Sequence, residues 1–285
     1  MAAVPTVGGL AVVGAAALAV ALVGTLVPLP AVADAAALAP LLAGGLLVFG
    51  VGLADDIRPL SPWTKLGVEV VAAGVAMTGG LLVERVTVAG VTWQLGLLAW
   101  PVTLLWIVGL TNAFNLIDGV DGLAAGVAAI GGSACTVILV LRGHAPEALI
   151  LSALVGAALG FLVYNFSPAS IFLGDGGSLL FGFVLAATAI TGWQKGATAL
   201  AAGVPLLIFA LPIADTASAL GRRLRGAGDL SVGAALRQVV QPDRGHIHHR
   251  LLALGWSTRG TVVFLYAVTL GLSLLALVTA RFEQP

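Results

Sequence analysis

Charged residues are scarce in this sequence: only 9% of its 285 residues are Asp, Glu, Lys or Arg, whereas 59% are apolar. A soluble domain carries about 25% charged residues, so the sequence excludes a water-soluble globular protein and, more strongly, a disordered one. Thirteen basic and thirteen acidic residues cancel, which leaves no overall field to recruit nucleic acid. Cysteine is nearly absent, and the single Cys135 excludes an intrachain disulfide and a cysteine-based zinc site.

Long apolar runs, by contrast, are abundant. Crossing the hydrocarbon core of a bilayer takes about 20 apolar residues, with a range of about 17–25. The candidate segments are Gly8–Leu29, Ala36–Leu53, Leu66–Leu82, Leu97–Asn112, Leu123–Leu141, Ala148–Tyr164, Gly177–Gly192, Thr198–Leu220 and Gly260–Ala280. The predicted fold class is therefore all-α: a polytopic integral membrane protein with about nine transmembrane helices in one domain, residues 1–285. Weak alternation in Val83–Leu95 predicts a small external hairpin.

The basic residues predict the orientation of these helices. Nine spans create two alternating sets of loops, of which one holds nine Lys and Arg residues and the other holds four. Because cytoplasmic loops carry the excess of basic residues, the first set is assigned to the cytoplasm, together with the long loop 221–258. Of the nine aspartates, all but Asp34 fall in or near this same set. Acidic residues contribute little to topology, so their one-sidedness indicates a cation-assisted site at the cytoplasmic face.

The first acidic cluster is Asp55–Asp56, which precedes Ser61, Pro62 and Lys65. Ser61 and Pro62 predict the start of the next helix, as N-cap and first helical residue. Adjacent helical residues face different ways, so the two carboxylates are expected to have different roles. The alternative is a solvated acidic loop that ends a helix.

The second cluster places a polar side chain at every third position. These residues are Asn112, Asn115, Asp118 and Asp121. Gly119 and Gly122 predict that the helix ends within the cluster, where backbone can approach a ligand closely. Carboxylate and amide oxygens suit a hard cation such as Mg²⁺, and the same groups suit a base and ribose.

The third cluster is the glycine-rich turn Leu173–Ser178, directly before an apolar segment. Such a turn at a helix N-terminus exposes backbone N–H groups and predicts a phosphate cradle. Asp175 would repel phosphate unless a divalent cation bridges the two, so a cation-bound diphosphate explains both halves of the motif. No lysine follows the glycines, which excludes a P-loop of the nucleotide-hydrolase type.

The fourth cluster, Asp243–Arg250, contains three histidines and two arginines within the long loop. It predicts a group of donors for anionic oxygens, with a zinc site and a basic patch for anionic headgroups as alternatives. Glu69 and Asp215 lie near cytoplasmic helix ends, where a functional group and a satisfied intramembrane hydrogen-bonding group are equally compatible with the sequence, and neither is assigned a catalytic role.

In this order, four strings resemble the polyprenyl-phosphate N-acetylhexosamine-1-phosphate transferases, glycosyltransferase family 4. The strings are GLADDIRPLSPWTK, TNAFNLIDGVDGLAAG, SIFLGDGGSLLFGF and PDRGHIHHRLLALG. The form HIHHR is similar to the bacterial undecaprenyl-phosphate N-acetylglucosamine-1-phosphate branch. In that family a further span usually precedes a Pro-x-x-Gly-Gly turn, which stands here at Pro5–Gly9, so the first helix of the family is expected to be missing.

The resemblance implies roles for individual residues. Asp175, with Asn115, would hold Mg²⁺, for which Mn²⁺ is a substitute. The residues implied at the catalytic centre are Asp55, Asp56, Lys65 and Asp118. Those implied in substrate binding are Asn112, Asp121, Gly174, His246, His248, His249 and Arg250. Among these, Asp121 would contact the uridine and the histidines the diphosphate or the acetamido sugar.

The implied reaction is transfer of N-acetylglucosamine 1-phosphate from UDP-GlcNAc to undecaprenyl phosphate, the first membrane step of a cell-envelope polysaccharide. The expected setting is the bacterial inner membrane, with the site facing the cytoplasm, a homodimer as the assembly and no nucleic-acid partner. One alternative is another UDP-N-acetylhexosamine, such as UDP-MurNAc-pentapeptide. A secondary transporter is the alternative from a different class, but transporter sites lie near the midplane in paired repeats, and no repeat is present here. A noncatalytic membrane scaffold is a further alternative.

Overall fold

The computed structural model describes residues 5–26, 35–88, 91–194, 203–226 and 245–282. Its helices are α1 (Gly8–Leu26), α2 (Ala35–Ile57), α3 (Pro62–Thr78), α4 (Ala99–Ile117), α5 (Leu123–Leu141), α6 (Ala145–Asn165), α7 (Gly174–Gln194), α8 (Gly203–Ile208), α9 (Ala210–Gly226), α10 (Ile247–Ala253) and α11 (Thr258–Phe282). Strands β1 (Arg85–Val88) and β2 (Val91–Gln94) form an antiparallel hairpin between α3 and α4, with Val86 opposite Trp93. The protein is therefore an all-α membrane bundle, as predicted.

Helix α7 lies at the centre of the bundle. Nearly all of its residues are buried, and it packs against α2, α4, α5 and α1. Helix α1 is the opposite case, because most of its apolar side chains are exposed, among them Leu10, Leu18 and Leu22. An outward-facing surface of leucines on a peripheral helix fits contact with lipid, in which burial against protein is not needed to remove apolar groups from water.

Glycines allow the neighbouring helices to approach α7 at backbone distance. A Cβ on Gly9 of α1 would lie 2.6 Å from the amide nitrogen of Gly177, and a Cβ on Gly52 of α2 would lie 2.5 Å from the carbonyl of Asp175. On the α4 side, a Cβ on Gly182 would lie 2.6 Å from Cα of Thr111. Small residues at such crossings are typical of helix packing in membranes. The result is a tight junction around the first turn of α7.

Each of the nine predicted spans overlaps a helix or a helix pair. Within the described residues, seven helices are long and apolar enough to cross a membrane by length and composition. The other two predicted spans differ from this group: α3 has 17 residues, and the segment Thr198–Leu220 is divided between α8 and α9. The first five residues of that segment lie outside the described residues. The predicted hairpin within Val83–Leu95 is present as β1 and β2.

The predicted long loop 221–258 is partly helical. Its first residues continue α9 as far as Gly226, and Ile247–Ala253 form the short helix α10, which is followed by α11. Asp243 and Arg244 of the fourth cluster lie outside the described residues. The remaining members of that cluster, from Gly245 to Arg250, are described, and His248 lies against Gly119 of the second cluster.

Candidate active site

Helices α2, α3 and α7 bring four of the predicted residues together at one end of the bundle, here called the acidic end: Asp55, Asp56, Lys65 and Asp175. Asp55 and Asp56 lie in the last turn of α2, and Lys65 lies in the first turn of α3. Helix α3 begins as predicted, because Ser61 is its N-cap and accepts a hydrogen bond from the Thr64 amide at 3.1 Å. This short connection folds α3 back so that Lys65 faces the end of α2.

Lys65 bridges two carboxylates from different helices. Its Nζ donates to Oδ2 of Asp55 at 3.1 Å and to Oδ2 of Asp175 at 2.7 Å. Asp55 also accepts a hydrogen bond from the Leu60 amide at 2.7 Å, which fixes the carboxylate at the end of α2. One cation therefore holds together two acidic groups that would otherwise repel each other.

Asp56 makes different contacts from Asp55, as expected for adjacent residues of a helix. Its two oxygens accept hydrogen bonds from the amides of Asp175 and Gly176, at 2.8 Å and 3.0 Å. These are the N–H groups of the first turn of α7 that the sequence assigned to a phosphate cradle. That prediction is wrong for these two amides, because a carboxylate from α2 occupies them.

Gly174 is required by this arrangement for two reasons. Its φ of +77° lies in the left-handed region, which side chains rarely adopt. A Cβ at this position would also lie 2.5 Å from Oδ2 of Asp56. The role predicted for Gly174 was contact with substrate, whereas its contact in the structure is with Asp56.

The polar row of the second cluster lies where α4 ends. Helix α4 ends at Ile117, and Asp118 is the residue that follows it. Burial raises the pKa of the Asp118 carboxyl well above its usual range, and the negative charges of Asp175, Asp56 and Asp121 raise it further. The acidic end therefore concentrates negative charge, and a cation bound there would relieve the repulsion.

Asn112 and Asn115 hold neighbouring helices to α4. The side-chain Nδ2 of Asn115 donates to Oγ of Ser178 on α7 at 3.1 Å. The side-chain Nδ2 of Asn112 donates to the Glu69 carboxylate of α3 and to the Val108 carbonyl. Glu69 is buried and lies one helical turn beyond Lys65, so it belongs to the acidic end although the sequence assigned it no catalytic role. Asn112 was predicted to bind substrate, whereas its amide contacts here are internal.

The turn between α4 and α5 is tied to the loop between α6 and α7. Oδ2 of Asp121, predicted to contact uridine, accepts a hydrogen bond from the Ala169 amide at 3.0 Å. Asn165 accepts from the Gly122 amide at 3.0 Å, and Tyr266 of α11 donates to the Gly122 carbonyl. Gly122 has a φ of +81°, which lets the chain leave α4 and enter α5.

The histidine cluster lies against this turn. His248 is buried, and within the described part of the chain its Nε2 has no hydrogen-bond partner. A Cβ on Gly119 would lie 3.2 Å from that nitrogen. Burial, with a smaller contribution from His249, lowers the pKa of His248 to about 4, so the ring is neutral at pH 7. Arg250 is exposed on the same short helix.

His246 is held by an aspartate of α9. Its Nδ1 lies 2.8 Å from Oδ2 of Asp215, and the Ile247 amide donates to Oδ1 of Asp215 at 2.7 Å. Both side chains are buried. Sequence reasoning left open whether Asp215 is a satisfied hydrogen-bonding group, which it is, and did not identify the partner.

The sequence contained weak indications that Glu69 and Asp215 belong to the site. Glu69 stands four residues after Lys65, which on a helix places both on one face. Asp215 is a carboxylate within an apolar segment, where such groups are expensive and usually functional. Neither signal identifies a partner on another helix.

The donor set suits a hard cation better than zinc. Among the described residues, no three His, Cys, Asp or Glu side chains are placed to hold a metal ion by themselves. Mg²⁺ does not need such a cage, because it is usually bound through one or two carboxylates together with substrate phosphates and water. Asp118 and Asp175, whose negative charges repel each other, provide oxygens of this kind.

Residues 38–193 match the family model described as glycosyl transferase family 4. The chain belongs to that family. Its relatives include a probable undecaprenyl-phosphate N-acetylglucosaminyl 1-phosphate transferase of Bacillus subtilis, which is 38% identical over 82% of this chain and 64% of that protein. A decaprenyl-phosphate N-acetylglucosaminephosphotransferase of Mycobacterium tuberculosis is 36% identical over 79% of this chain and 59% of that protein.

An undecaprenyl-phosphate alpha-N-acetylglucosaminyl 1-phosphate transferase of Yersinia pestis is 31% identical over 84% of this chain and 64% of that protein. The chain of this family member thus spans about three-fifths of the length of the curated relatives it matches.

Proposed function

We propose that this chain transfers N-acetylglucosamine 1-phosphate from UDP-GlcNAc to a polyprenyl phosphate, giving polyprenyl-diphosphate-GlcNAc and UMP. The observation that carries the proposal is the Lys65 bridge between Asp55 and Asp175, with Asp56 and Asp118 beside it, at one end of a membrane bundle. The names of the relatives support the same acceptor class and the same transferred group.

The chemical problem is the approach of two phosphates. An oxygen of the acceptor phosphate attacks the sugar-linked phosphorus of the donor, and the bond from that phosphorus to the bridging oxygen breaks, with UMP as leaving group. One diphosphate bond forms and one breaks, so the reaction is close to thermoneutral. The barrier comes from repulsion between anions, and a fixed cation such as Lys65 lowers it by stabilising charge on the transferring group.

The acceptor needs little help from a general base. A phosphate monoester has a second pKa near 6, so much of it is already a dianion at neutral pH. Asp55 and Asp56 therefore act by holding Lys65 and the first turn of α7 in place. Direct attack is the favoured route, and a covalent aspartyl phosphate is the alternative.

We assign Mg²⁺, or Mn²⁺ in its place, to the acidic end. Asp175 and Asn115 would hold the ion, with Asp118 close by. When bound, the ion would supply positive charge that screens the donor diphosphate. The residues of the chain still do the positioning: Lys65 fixes Asp175, and Asn115 is oriented by its bond to Ser178.

The proposed setting is the bacterial inner membrane, with the acidic end at the cytoplasmic surface. A polyprenyl acceptor keeps its tail in lipid while its phosphate must meet a water-soluble nucleotide, which requires a site at the interface. The excess of Lys and Arg in the loops at this end supports the same orientation. A homodimer also remains a proposal.

The test is UMP release from UDP-GlcNAc with undecaprenyl phosphate by the purified chain in detergent or nanodiscs. We expect turnover with Mg²⁺ and none with EDTA. Asp175→Asn should lose activity by at least 100-fold, whereas Glu84→Gln, which alters an exposed carboxylate, should keep it. An Asp175→Asn variant as active as the wild type would favour a noncatalytic or different role.

Two further measurements separate the alternatives within this proposal. Competition with UDP-MurNAc-pentapeptide identifies the sugar, and preferential use of that donor would replace GlcNAc in the assignment. Radiolabelled donor incubated with the protein before denaturation tests the route. Label retained on the chain would favour the covalent aspartyl phosphate over direct attack.

A further inference from the structure

Asp215 connects α9 to the start of α10 by two hydrogen bonds from one carboxylate. Oδ2 contacts Nδ1 of His246 at 2.8 Å, and Oδ1 accepts from the Ile247 amide at 2.7 Å. The side chains are nearly inaccessible, with 2% of Asp215 and 4% of His246 exposed. Burying a carboxylate is expensive unless its oxygens are bonded, so these two contacts stabilise the buried position of Asp215.

We propose that Asp215 is a positioning residue, which fixes the tautomer and orientation of the His246 ring and seats helix α10 against the Asp118 turn. The inference rests on the proposed function, because it assigns the histidine helix to the same reaction. It concerns a residue of α9 that lies outside the four sequence clusters.

The tautomer follows from the chemistry of the pair. An ionised carboxylate only accepts hydrogen bonds, so the proton between Asp215 and His246 is carried by Nδ1 of the ring. When the ring is neutral, Nε2 is then an acceptor, available to a proton of a bound substrate. Because Asp215 also accepts from the Ile247 amide, the carboxylate is held in place at the start of α10, and turning the ring would break its bond to Oδ2.

The same contact determines where the next histidine lies. The rings of His246 and His248 are almost parallel, at 3° with centroids 5.6 Å apart, and His249 lies 4.3 Å from His248. His248 Nε2 in turn lies against Gly119, next to Asp118. Asp215 thus acts at the acidic end through α10, without touching the residues of that end itself.

Substitutions at Asp215 separate its two contacts. Asp215→Asn keeps an oxygen that can accept from the Ile247 amide, but its NH₂ group must donate to Nδ1 and so moves the ring proton to Nε2. Asp215→Ala removes both contacts. Ser218→Ala is the matched control, since Ser218 is exposed on the same helix.

In the UMP-release assay, Asp215→Asn should lower kcat by about 10- to 100-fold, as for other groups that orient a functional histidine, with KM changed by less than about threefold. Its melting temperature should match that of Ser218→Ala, whereas Asp215→Ala should melt earlier. In a His246→Gln background, Asp215→Asn should cost less than about twofold more, because both changes act through one ring. The inference would be overturned if the losses in kcat from Asp215→Asn and His246→Gln multiplied in the double variant, or if Asp215→Asn left kcat unchanged.

A second readout does not depend on turnover. Protein labelled with ¹⁵N-histidine in nanodiscs, with His246→Gln used for assignment, reports which ring nitrogen carries the proton. Nδ1 of His246 should be protonated in the wild type and unprotonated in Asp215→Asn. An unprotonated Nδ1 in the wild type, or a protonated one in Asp215→Asn, would contradict the inference. If the wild type released no UMP from any UDP-N-acetylhexosamine, the proposed function would fail, and the spectra would still decide this point.

Discussion

Lys65 is the residue on which the charge balance of the acidic end depends. Its Nζ lies 3.1 Å from Oδ2 of Asp55 and 2.7 Å from Oδ2 of Asp175, so one ammonium group is paired with two carboxylates. Without Lys65, the two acidic groups would face each other and Asp118 with no positive side chain bonded to them in the described structure. The lysine therefore holds this end of the bundle together, and under the proposed function it would also stabilise charge on the transferring phosphate.

We expect Lys65→Met to lower kcat/KM in the UMP-release assay by about 10²–10³-fold, the usual loss when one fixed donor to developing charge is removed. Arg58→Met is the control, because Arg58 is exposed in the same connection between α2 and α3. Equal activities of the two variants would show that Lys65 has no part in the reaction.

A second prediction at this scale concerns His248 and pH. Its pKa is lowered to about 4 from an ordinary 6.5, so the folded protein binds this proton less readily than the unfolded chain. The stability from the neutral ring is therefore fully present above pH 6.5 and is lost as pH falls towards 4. The melting temperature of the wild type should fall more between pH 7 and about 5 than that of His248→Asn. Parallel curves for the two proteins would contradict a buried, neutral His248.

At the scale of helices, the first turn of α7 is fixed from outside by α2. Asp56 accepts hydrogen bonds from two of its backbone amides, and Gly52 allows the backbones of α2 and α7 to touch. Ordinary helix caps come from the residue that precedes the helix. Here a neighbouring helix supplies the cap, so the position of Asp175 depends on the packing of α2 against α7.

We therefore expect Gly52→Ala to be harmful and Gly50→Ala to be tolerated. The added Cβ at 52 would lie 2.5 Å from the Asp175 carbonyl, whereas the one at 50 meets nothing within 4 Å. Overpacking of this kind costs about 1–3 kcal/mol and would displace the first turn of α7. Gly52→Ala should melt earlier than Gly50→Ala in detergent and lose more than about tenfold in activity. Equal melting temperatures would mean that the two helices separate without cost.

At the scale of the whole molecule, the assignment of sides depends on α3 crossing the bilayer. Its 17 residues span about 25 Å, close to the thickness of the hydrocarbon core. The hairpin that follows exposes Trp93 and lies at the far end of α3. Aromatic residues of this kind are enriched at membrane interfaces.

Labelling with a membrane-impermeant maleimide tests this arrangement. In a Cys135→Ala background, Gln94→Cys should be labelled in intact bacteria with the outer membrane permeabilised, and Arg58→Cys only after the inner membrane is opened. Both positions are exposed, and Cys135 is buried, so its replacement by a small residue is mild. Labelling of both positions from the same side would mean that α3 does not cross.

The sequence by itself determined the class of the protein and the places where chemistry is concentrated. Hydropathy is a property of each segment, so the helices follow from it, and Ser61, Pro62 and Gly122 mark helix ends by local backbone preference. Four polar clusters stand out because polar side chains are expensive in apolar segments.

Only the tertiary structure decided which groups meet. Three contacts show this: Asp56 accepts from the amides of α7, Lys65 joins α2 to α7, and Asp215 binds His246. Their partners are separated by 31 to 120 residues of sequence. The apolar periodicity of each helix does not encode these contacts. They depend on which helix ends come together and on the glycines that let the backbones touch, so partners could be assigned only after the bundle was assembled.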